Sequence, residues 1–451
     1  MNIYDLGIIG AGPAGYIAAE KAGKNGLKTV LFDKKYLGGV CLNEGCIPTK
    51  TLLYSAKLYD NAREAEKYGI LAEKVSINFS KMMERKNKVV KKLVAGISSK
   101  LKQFLIEVVM GSAQIEGVAQ GAIRVQCDKK EYLCNNLLIA TGSEALIPLI
   151  PGLDKTEYLT NREILDLREQ PKSLAIIGGG VIGIEFASLF ASLGTKVDVI
   201  EMLDEIVSGM DKELAGILRK ELIKKGVNIH LLSKVVEIKN KKVIFEQNNE
   251  MKSVEADEIL VSVGRKPNIN GFGLERLGVE LFNNGIKIDS HCRTNLPHVY
   301  AAGDVTGFSL LAHTASREAE VAVNHILGKK DTMRYNAIPS VVYTNPEFSG
   351  VGLTEEEAQK RKIEYTAKSL PMAFAGRFVA ENEGKNGVCK VLIGKKHNEL
   401  LGVHMLGNPS SEIIYGAALA LETEMRITDM QEVVFPHPTV SEIFKETLNI
   451  F

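Results

Sequence analysis

No stretch of this 451-residue chain stays apolar for the roughly 18 residues that would read as a membrane span. It enters a strand-like run at once, Asp5-Leu6-Gly7-Ile8-Ile9-Gly10, without the charged leader, apolar core and cleavage site of a secretory signal. Membrane insertion is therefore unsupported, and a cytoplasmic protein, or a processed form that has lost its targeting segment, is expected. An excess of one charge is missing too: 56 Lys+Arg stand against 55 Asp+Glu, a formal charge of +1, so nothing recommends nucleic acid as a partner. Cysteine is scarce, and six in so long a chain cannot make the dense framework of a small secreted scaffold. Four of them, Cys127, Cys134, Cys292 and Cys389, are scattered and read as packing residues, with Cys127 and Cys134 flanking one candidate strand. Low-complexity tracts are absent. What remains, 45% hydrophobic and 25% charged residues, suits a globular protein whose length calls for about three domains.

The other two cysteines stand out. Gly38-Gly39-Val40-Cys41-Leu42-Asn43-Glu44-Gly45-Cys46-Ile47-Pro48-Thr49-Lys50 carries them five positions apart. Five residues of ideal helix rise about 7.5 Å, whereas a disulfide needs its Cα atoms roughly 4.4–6.8 Å apart. A bridge between Cys41 and Cys46 thus requires an irregular turn, which Gly45 and Pro48 make plausible. Pro48 suits the first turn of a helix running through Leu52, Leu53, Ala56 and Leu58. Both sulfurs would then lie near the positive end of its dipole, where thiolates are favoured. A low-pKa, exchange-ready dithiol is the functional expectation; two ordinary thiols close in sequence are the plain alternative. A zinc site lacks its second pair of ligands, so no metal is expected.

One internal echo runs through the chain. Ile8-Ile9-Gly10-Ala11-Gly12-Pro13-Ala14-Gly15 is matched by Ile176-Ile177-Gly178-Gly179-Gly180-Val181-Ile182-Gly183. Each follows a strand-like run and opens a helix-like one, Tyr16 to Ala22 and Ile184 to Leu193. Glycines at Gly10, Gly12, Gly15 and at Gly178, Gly180, Gly183 permit the tight turn and the approach of backbone N–H groups to a pyrophosphate at a helix N-terminus. Strands ending in a carboxylate follow both motifs, Thr29 to Asp33 and Lys196 to Glu201, at the spacing for recognising a ribose hydroxyl. Two dinucleotide sites are implied. Glu201 would also face the 2′-phosphate of NADP, and two unit charges about 4 Å apart at an effective dielectric near 20 repel by roughly 4 kcal/mol. Even half of that disfavours NADP more than tenfold. Met202-Leu203-Asp204-Glu205-Ile206-Val207 offers no cation to clamp a phosphate, so NAD is expected.

Turn clusters suggest boundaries. Ala140-Thr141-Gly142 closes a strand from Asn136 to Ile139, and Ile147-Pro148-Leu149-Ile150-Pro151-Gly152 reads as a linker. A second crossing is expected near Gly264-Arg265-Lys266-Pro267-Asn268. Val299 to Val305 reads as a buried strand ending in Gly303-Asp304, followed by a small-residue helix from Ala312 to Ile326. From about Asn336 the pattern changes to short β-branched strands and a helix from Ser410 to Glu422, a separate α+β domain. Charged helices such as Met82 to Lys102 read most simply as amphipathic surface helices.

Together the C-x4-C segment, both glycine motifs, Ala140-Thr141-Gly142, Gly303-Asp304, Leu311-Ala312-His313-x-Ala315 and the tail Phe435-Pro436-His437-Pro438-Thr439-Val440-Ser441-Glu442 resemble the flavin disulfide reductases over essentially the whole length. The fold this implies is α/β, with two Rossmann-like dinucleotide-binding domains and a C-terminal α+β dimerisation domain. Residues 1–147 and 269–336 would form the FAD-binding domain, 148–268 the NAD-binding domain and 337–451 the interface of a homodimer. By the same resemblance Cys41 is the interchange thiol and Cys46 the charge-transfer thiolate against the flavin. His437 would be the base and Glu442 its orienting carboxylate, the pair serving the partner subunit's site. Lys50 and Glu185 would stand beside the flavin N5. Asp33, Thr141, Gly142, Asp304, Ala312 and His313 join the FAD contacts, and Glu185, Glu201 and Gly264 the cofactor-binding set.

Within that family the closest pattern is the branch that reoxidises the dihydrolipoamide of a lipoyl-bearing carrier protein, or acyltransferase of a multienzyme complex, with NAD. Because the chain starts at its first glycine motif, that carrier is expected to be a separate protein. Two departures from the usual pattern are Val40, where threonine is common, and Glu44, where a small apolar residue is common. A carboxylate at Glu44 is expected to raise the thiol pKa values. The rival reading is an NADPH-dependent reductase of glutathione or mercuric ion, against which Glu201 argues; a docking flavoprotein with an unused centre is disfavoured by intact Cys41, Cys46, His437 and Glu442.

Overall fold

The computed structural model describes residues 3–451. Its contacts divide the chain into two compact units. One holds the chain up to Thr51, Met83–Leu146 and Gly264–Arg334; the other holds Leu52–Met82, Ile147–Val263 and Tyr335–Phe451.

In the first unit the strand Ile3–Ile9 pairs in parallel with both Thr29–Asp33 and Lys130–Ile139. Leu6, Ile8 and Ile9 are buried, as befits a strand of a parallel sheet covered on both faces. The full sheet has seven strands, ordered Glu107–Met110, Thr29–Asp33, Ile3–Ile9, Lys130–Ile139, Ala122–Cys127 and Ala113–Ala119, with Val299–Ala301 also paired to Lys130–Ile139. Helix α1 (Pro13–Lys24) crosses between the first two strands and starts with proline at its first position, where the missing N–H costs nothing. Three more helices follow: α2 (Gly39–Glu44), α3 (Cys46–Arg63) and α4 (Phe79–Gln103). Cys127 ends one strand and Cys134 lies inside the next. They sit on the two arms of a hairpin, not on either side of one strand as expected, because Asp128 at φ +53° reverses the chain between them. Residues 52–82, expected within the first FAD-binding segment (1–147), group instead with the second unit. There Asp60 on α3 accepts hydrogen bonds from Ser192 Oγ (2.9 Å), Lys225 Nζ (3.0 Å) and Asn345 Nδ2 (3.3 Å).

After Leu146 the chain builds a four-stranded parallel sheet in the order Val227–His230, Lys196–Ile200, Ser173–Ile177, Glu258–Val261. Helices α5 (Val181–Ser192) and α6 (Lys212–Lys224) connect its strands, and a three-stranded antiparallel sheet (Ser233–Lys239, Lys242–Gln247, Glu250–Glu255) adjoins them in sequence. On its return the chain pairs Arg265–Pro267 with Ser143–Ala145, the segment by which it left. Helix α7 (Ala312–Ile326) then packs along α1 in the first unit, where small side chains on both, Ala18, Ala19, Ala315 and Ala319, are buried.

The C-terminal part of the second unit is an antiparallel sheet of five strands, ordered Ser340–Val342, Phe348–Gly352, Leu400–Leu406, Val388–Gly394, Tyr365–Pro371. The helix Ser410–Glu422 packs on it. Ile414, Ala417 and Leu421 form its buried face, three and four residues apart. This is the α+β layer expected from the change in pattern. Buried Lys390 on its strand Val388–Gly394 meets Asp211 (2.9 Å), Glu213 (2.6 Å) and Glu355 (3.0 Å), an ionic tie between α6 and this sheet. Among the described residues no helix is long and apolar enough to cross a membrane.

Candidate active site

Helix α2 begins at Gly39 after Gly38, which takes φ +92°. Asn43 Nδ2 donates to the carbonyls of Leu37 and Gly39, both at 2.9 Å, tying α2 to the loop before it. Gly45 then breaks the helix: a Cβ there would meet the Val40 carbonyl at 3.0 Å and Cys41 Cα at 3.4 Å. A side chain there would force the turn to give by a few tenths of an ångström. The chain restarts at once as α3, with Cys46 as its first residue and Pro48 in its first turn. This is the irregular turn that the spacing required. Cys41 and Cys46 are half-buried thiols joined by a side-chain hydrogen bond.

That pairing corrects the expectation of a simply lowered pKa. The hydrogen bond with Cys46, burial and the charge of Cys46 hold the Cys41 thiol well above the usual range; Lys50 and the Cys46 backbone act the other way. Two thiols sharing one proton cannot both ionise cheaply, so the second proton is retained. Glu44 departs from expectation as well. It is buried, and its carboxylate lies 2.5 Å from Lys35 Nζ, so its charge is matched and it is not among the main influences on Cys41. Tyr16, just after the third glycine of the first motif, was passed over by the sequence reading as the start of a helix. Its hydroxyl pKa is raised first by burial and then by the charge of Cys41.

The first glycine motif closes the strand Ile3–Ile9. Gly10 has φ +104°, and a Cβ would lie 2.2 Å from the Ala140 carbonyl; at Gly15 a Cβ would lie 1.8 Å from the Gly10 carbonyl. Gly12 caps α1 without any side-chain hydrogen bond, which leaves the first-turn N–H groups of α1 facing the cradle. Asp33 closes it: one oxygen accepts from Ala11 N–H at 2.7 Å and the other from Lys35 N–H at 2.7 Å. Thr141 and Asn268 clamp each other, Oγ1 to carbonyl at 2.7 Å and Nδ2 to carbonyl at 3.0 Å, with Gly142 at φ +70° between. Asp304 accepts from Ser143 Oγ at 2.5 Å and lies 3.9 Å from Arg265; burial raises its pKa. Gly303 N–H donates to buried Glu318 at 2.6 Å. Ala312 and His313 open α7, with His313 exposed. Ser143, Arg265 and Glu318 are contributors that no motif flagged, since they act through chain segments far apart in sequence.

The second motif repeats this construction in the second unit. Gly178 has φ +107° with the Ser262 carbonyl 2.6 Å from its would-be Cβ, and Gly183 closes on the Gly178 carbonyl at 2.2 Å. Gly180 caps α5, again with no side-chain hydrogen bond, and has nothing within 4 Å of a Cβ. Glu201 accepts from Gly179 N–H at 2.5 Å and from Leu203 N–H at 2.7 Å. Gly264, at φ +130°, follows Ser262-Val263 as Gly142 follows Ala140-Thr141. Lys212 and Arg219 are the first cations after Glu201 in sequence, and both are taken: Arg219 by Glu205 at 2.8 Å and Lys212 by Asp204 at 2.5 Å. Both cradles fit a dinucleotide, and neither Lys212 nor Arg219 is free to clamp an extra phosphate at the second.

The remaining candidates lie in the second unit, apart from Lys50 on α3. Glu185, buried on α5, accepts from Tyr343 N–H at 3.0 Å. His437 Nδ1 is 2.9 Å from Glu442 Oε1, and Glu442 Oε2 accepts from Thr439 N–H at 2.8 Å. The Thr439 N–H, and then His437, hold the Glu442 carboxyl below its usual range. The His437 side chain is 81% exposed, so its other ring nitrogen faces outward. The structure thus groups Cys41, Cys46 and Lys50 at one place and His437 with Glu442 at another.

Two family models cover the chain: pyridine nucleotide-disulphide oxidoreductase over residues 4–319, and the dimerisation domain of the same family over 338–448. It is 39% identical over 451 residues to a dihydrolipoyl dehydrogenase of Geobacillus stearothermophilus, covering 98% of this chain and 95% of that one. It is likewise 39% identical to one of Mycoplasma pneumoniae, covering 98% and 97%. Among solved structures, LpdA of Mycobacterium tuberculosis superposes with a TM-score of 0.91 at 25% identity, covering 100% of this chain and 99% of that one. The flavoprotein disulfide reductase RclA of Escherichia coli superposes at 0.87 and 28% identity, with full coverage of both. The chain belongs to the pyridine nucleotide-disulphide oxidoreductase family and carries that family's dimerisation domain.

Proposed function

We propose that this chain is a dihydrolipoyl dehydrogenase that reoxidises the dihydrolipoamide of a carrier protein and reduces NAD. The observation that carries the reading is the hydrogen-bonded Cys41–Cys46 pair set around Gly45 at the start of α3, in a chain so similar along its length to enzymes of that name. In the oxidised state the two sulfurs form a disulfide. A thiolate of dihydrolipoamide attacks the Cys41 sulfur and expels Cys46 as a thiolate; the second substrate thiolate then attacks the first substrate sulfur in the mixed disulfide and expels Cys41, which leaves lipoamide oxidised and the Cys41–Cys46 pair reduced.

Each residue has a task in that exchange. His437 takes the proton from the attacking thiol, because only the thiolate is a nucleophile. Glu442 fixes the ring through Nδ1 and stabilises the cation that forms. With its imidazole exposed on its own chain, His437 completes the site of a second copy, and a homodimer is the working form. Cys46 carries the thiolate of the reduced pair, with the Cys41 thiol as its hydrogen-bond partner, while the Lys50 charge favours ionisation of Cys41. Gly10, Gly12, Gly15, Asp33, Thr141, Gly142, Asp304, Ala312 and His313 would hold FAD, which when bound would supply the two-electron link between the dithiol and NAD. NAD is held by Gly178, Gly180, Gly183, Glu201 and Gly264.

The test is anaerobic turnover of free dihydrolipoamide, comparing NAD with NADP and following reduced nicotinamide. NADH formation that is lost in Cys41→Ser supports the reading; a protein inactive there that reduces another disulfide with NADPH overturns it.

A further inference from the structure

Helix α4 is where positive charge collects. It holds eight lysines or arginines and one acid, Glu84, in a chain whose total charge is only +1. Lys81, Arg85, Lys88 and Lys92 recur at i, i+4, i+7 and i+11, which sets them in one stripe about 16 Å long. All four are exposed, and Lys91 lies beside them. None of Lys81, Lys88, Lys91 and Lys92 has an ion-pair partner among the described residues, although the chain elsewhere matches its lysines with carboxylates freely. Like charges at this spacing destabilise a helix, so the stripe does nothing for the fold. It also has a fixed relation to the dithiol. Arg85 Nη1 donates to the Thr51 carbonyl at 3.1 Å, and Thr51 is five residues, about 7.5 Å of rise, into the helix that Cys46 starts.

We infer that this stripe is the docking surface for the protein that delivers the dithiol, an acidic lipoyl-bearing domain. The inference rests on the reading of the chain as a dihydrolipoyl dehydrogenase. Dihydrolipoamide itself is neutral and gives the enzyme nothing to steer, whereas a carrier domain with an acidic face meets unneutralised cations alongside the helix that leads to Cys46. Such complementarity raises the encounter rate more than the strength of the final complex and is screened by salt.

The experiment compares two substrates on the FAD-loaded dimer and its Lys88→Glu/Lys92→Glu variant: free dihydrolipoamide, and an isolated, acidic, reduced lipoylated domain. With the lipoylated domain, kcat/KM is expected to fall at least tenfold in the variant at low salt with kcat unchanged, and the wild-type advantage to vanish by about 0.5 M salt. With free dihydrolipoamide both proteins should be equal. An equal loss on both substrates, or none on the domain, overturns the docking surface; so does variant-sensitive binding of anionic vesicles or RNA with carrier turnover unaltered. Absence of any NAD-linked turnover of free dihydrolipoamide by the wild type would instead overturn the underlying function, so the two failures are distinguishable.

Discussion

The two glycine cradles are near copies in backbone geometry and differ in what surrounds them. Gly10 and Gly178 take φ of +104° and +107°, Gly12 and Gly180 cap their helices in the same extended conformation, and Asp33 and Glu201 accept from the N–H of the residue after the first glycine. The first cradle has the redox segment laid over it: a Cβ on Gly39, at φ +58°, would meet Gly12 Cα at 2.6 Å. At Gly180 the second is open. A roofed cradle suits a group that stays, and an open one suits a group that exchanges at each turnover. One chain code would thus serve a resident and a visiting dinucleotide, the difference arising from neighbouring segments.

The largest expected effect comes from untying the second cradle from its support. Lys390→Met leaves Asp211, the buried cap of α6, without its cation. A cost of about 3–5 kcal/mol is expected, read as a lower melting temperature and a raised KM for NAD, with flavin content kept. A loss of flavin instead would show that the tie does not belong to the second cradle.

Next is the roof. Gly39→Ala is expected to cost roughly 1–3 kcal/mol through its close contact and positive φ and to yield protein depleted of flavin absorbance. Gly180→Ala should leave stability and flavin intact and weaken only NAD. Equal behaviour of the two variants would erase the contrast between roofed and open cradles.

Selectivity sharpens the comparison further. Glu201→Arg is expected to shift the NAD to NADP ratio of kcat/KM more than tenfold towards NADP, from about 2 kcal/mol of repulsion removed. An unchanged ratio would mean that Glu201 does not face the ribose.

The dithiol responds to pH in a stated direction. Since Cys46 is the main cause of the raised Cys41 pKa, Cys46→Ser should bring Cys41 down towards the usual thiol value of about 8.5. Alkylation of Cys41 in the reduced protein would then begin at lower pH than in the wild type. An unmoved profile would assign the shift to burial alone.

Ser262→Ala is the mildest change. Ser262 Oγ donates to the carbonyls of Ile177 and Gly178 at 3.3 and 3.1 Å, where the first cradle manages with Ala140. A loss within about 1 kcal/mol is expected, with NAD binding nearly unchanged by titration.

Local matters were legible in the chain itself. The paired glycine motifs, the carboxylates at Asp33 and Glu201, the small-residue helices Ala312–Ile326 and Ser410–Glu422, and the turn at Gly45 all follow from short-range geometry, because φ, hydrogen-bond reach and helical period are set within a few residues. The tertiary structure alone decided the rest. It matched Glu44 with Lys35, brought Tyr16 under the charge of Cys41, set Ser143 on Asp304, and tied residues 52–82 to the second unit through Asp60. These depend on which distant segments pack together, and a charge or a thiol acquires its pKa and its partner only when packing has excluded water around it.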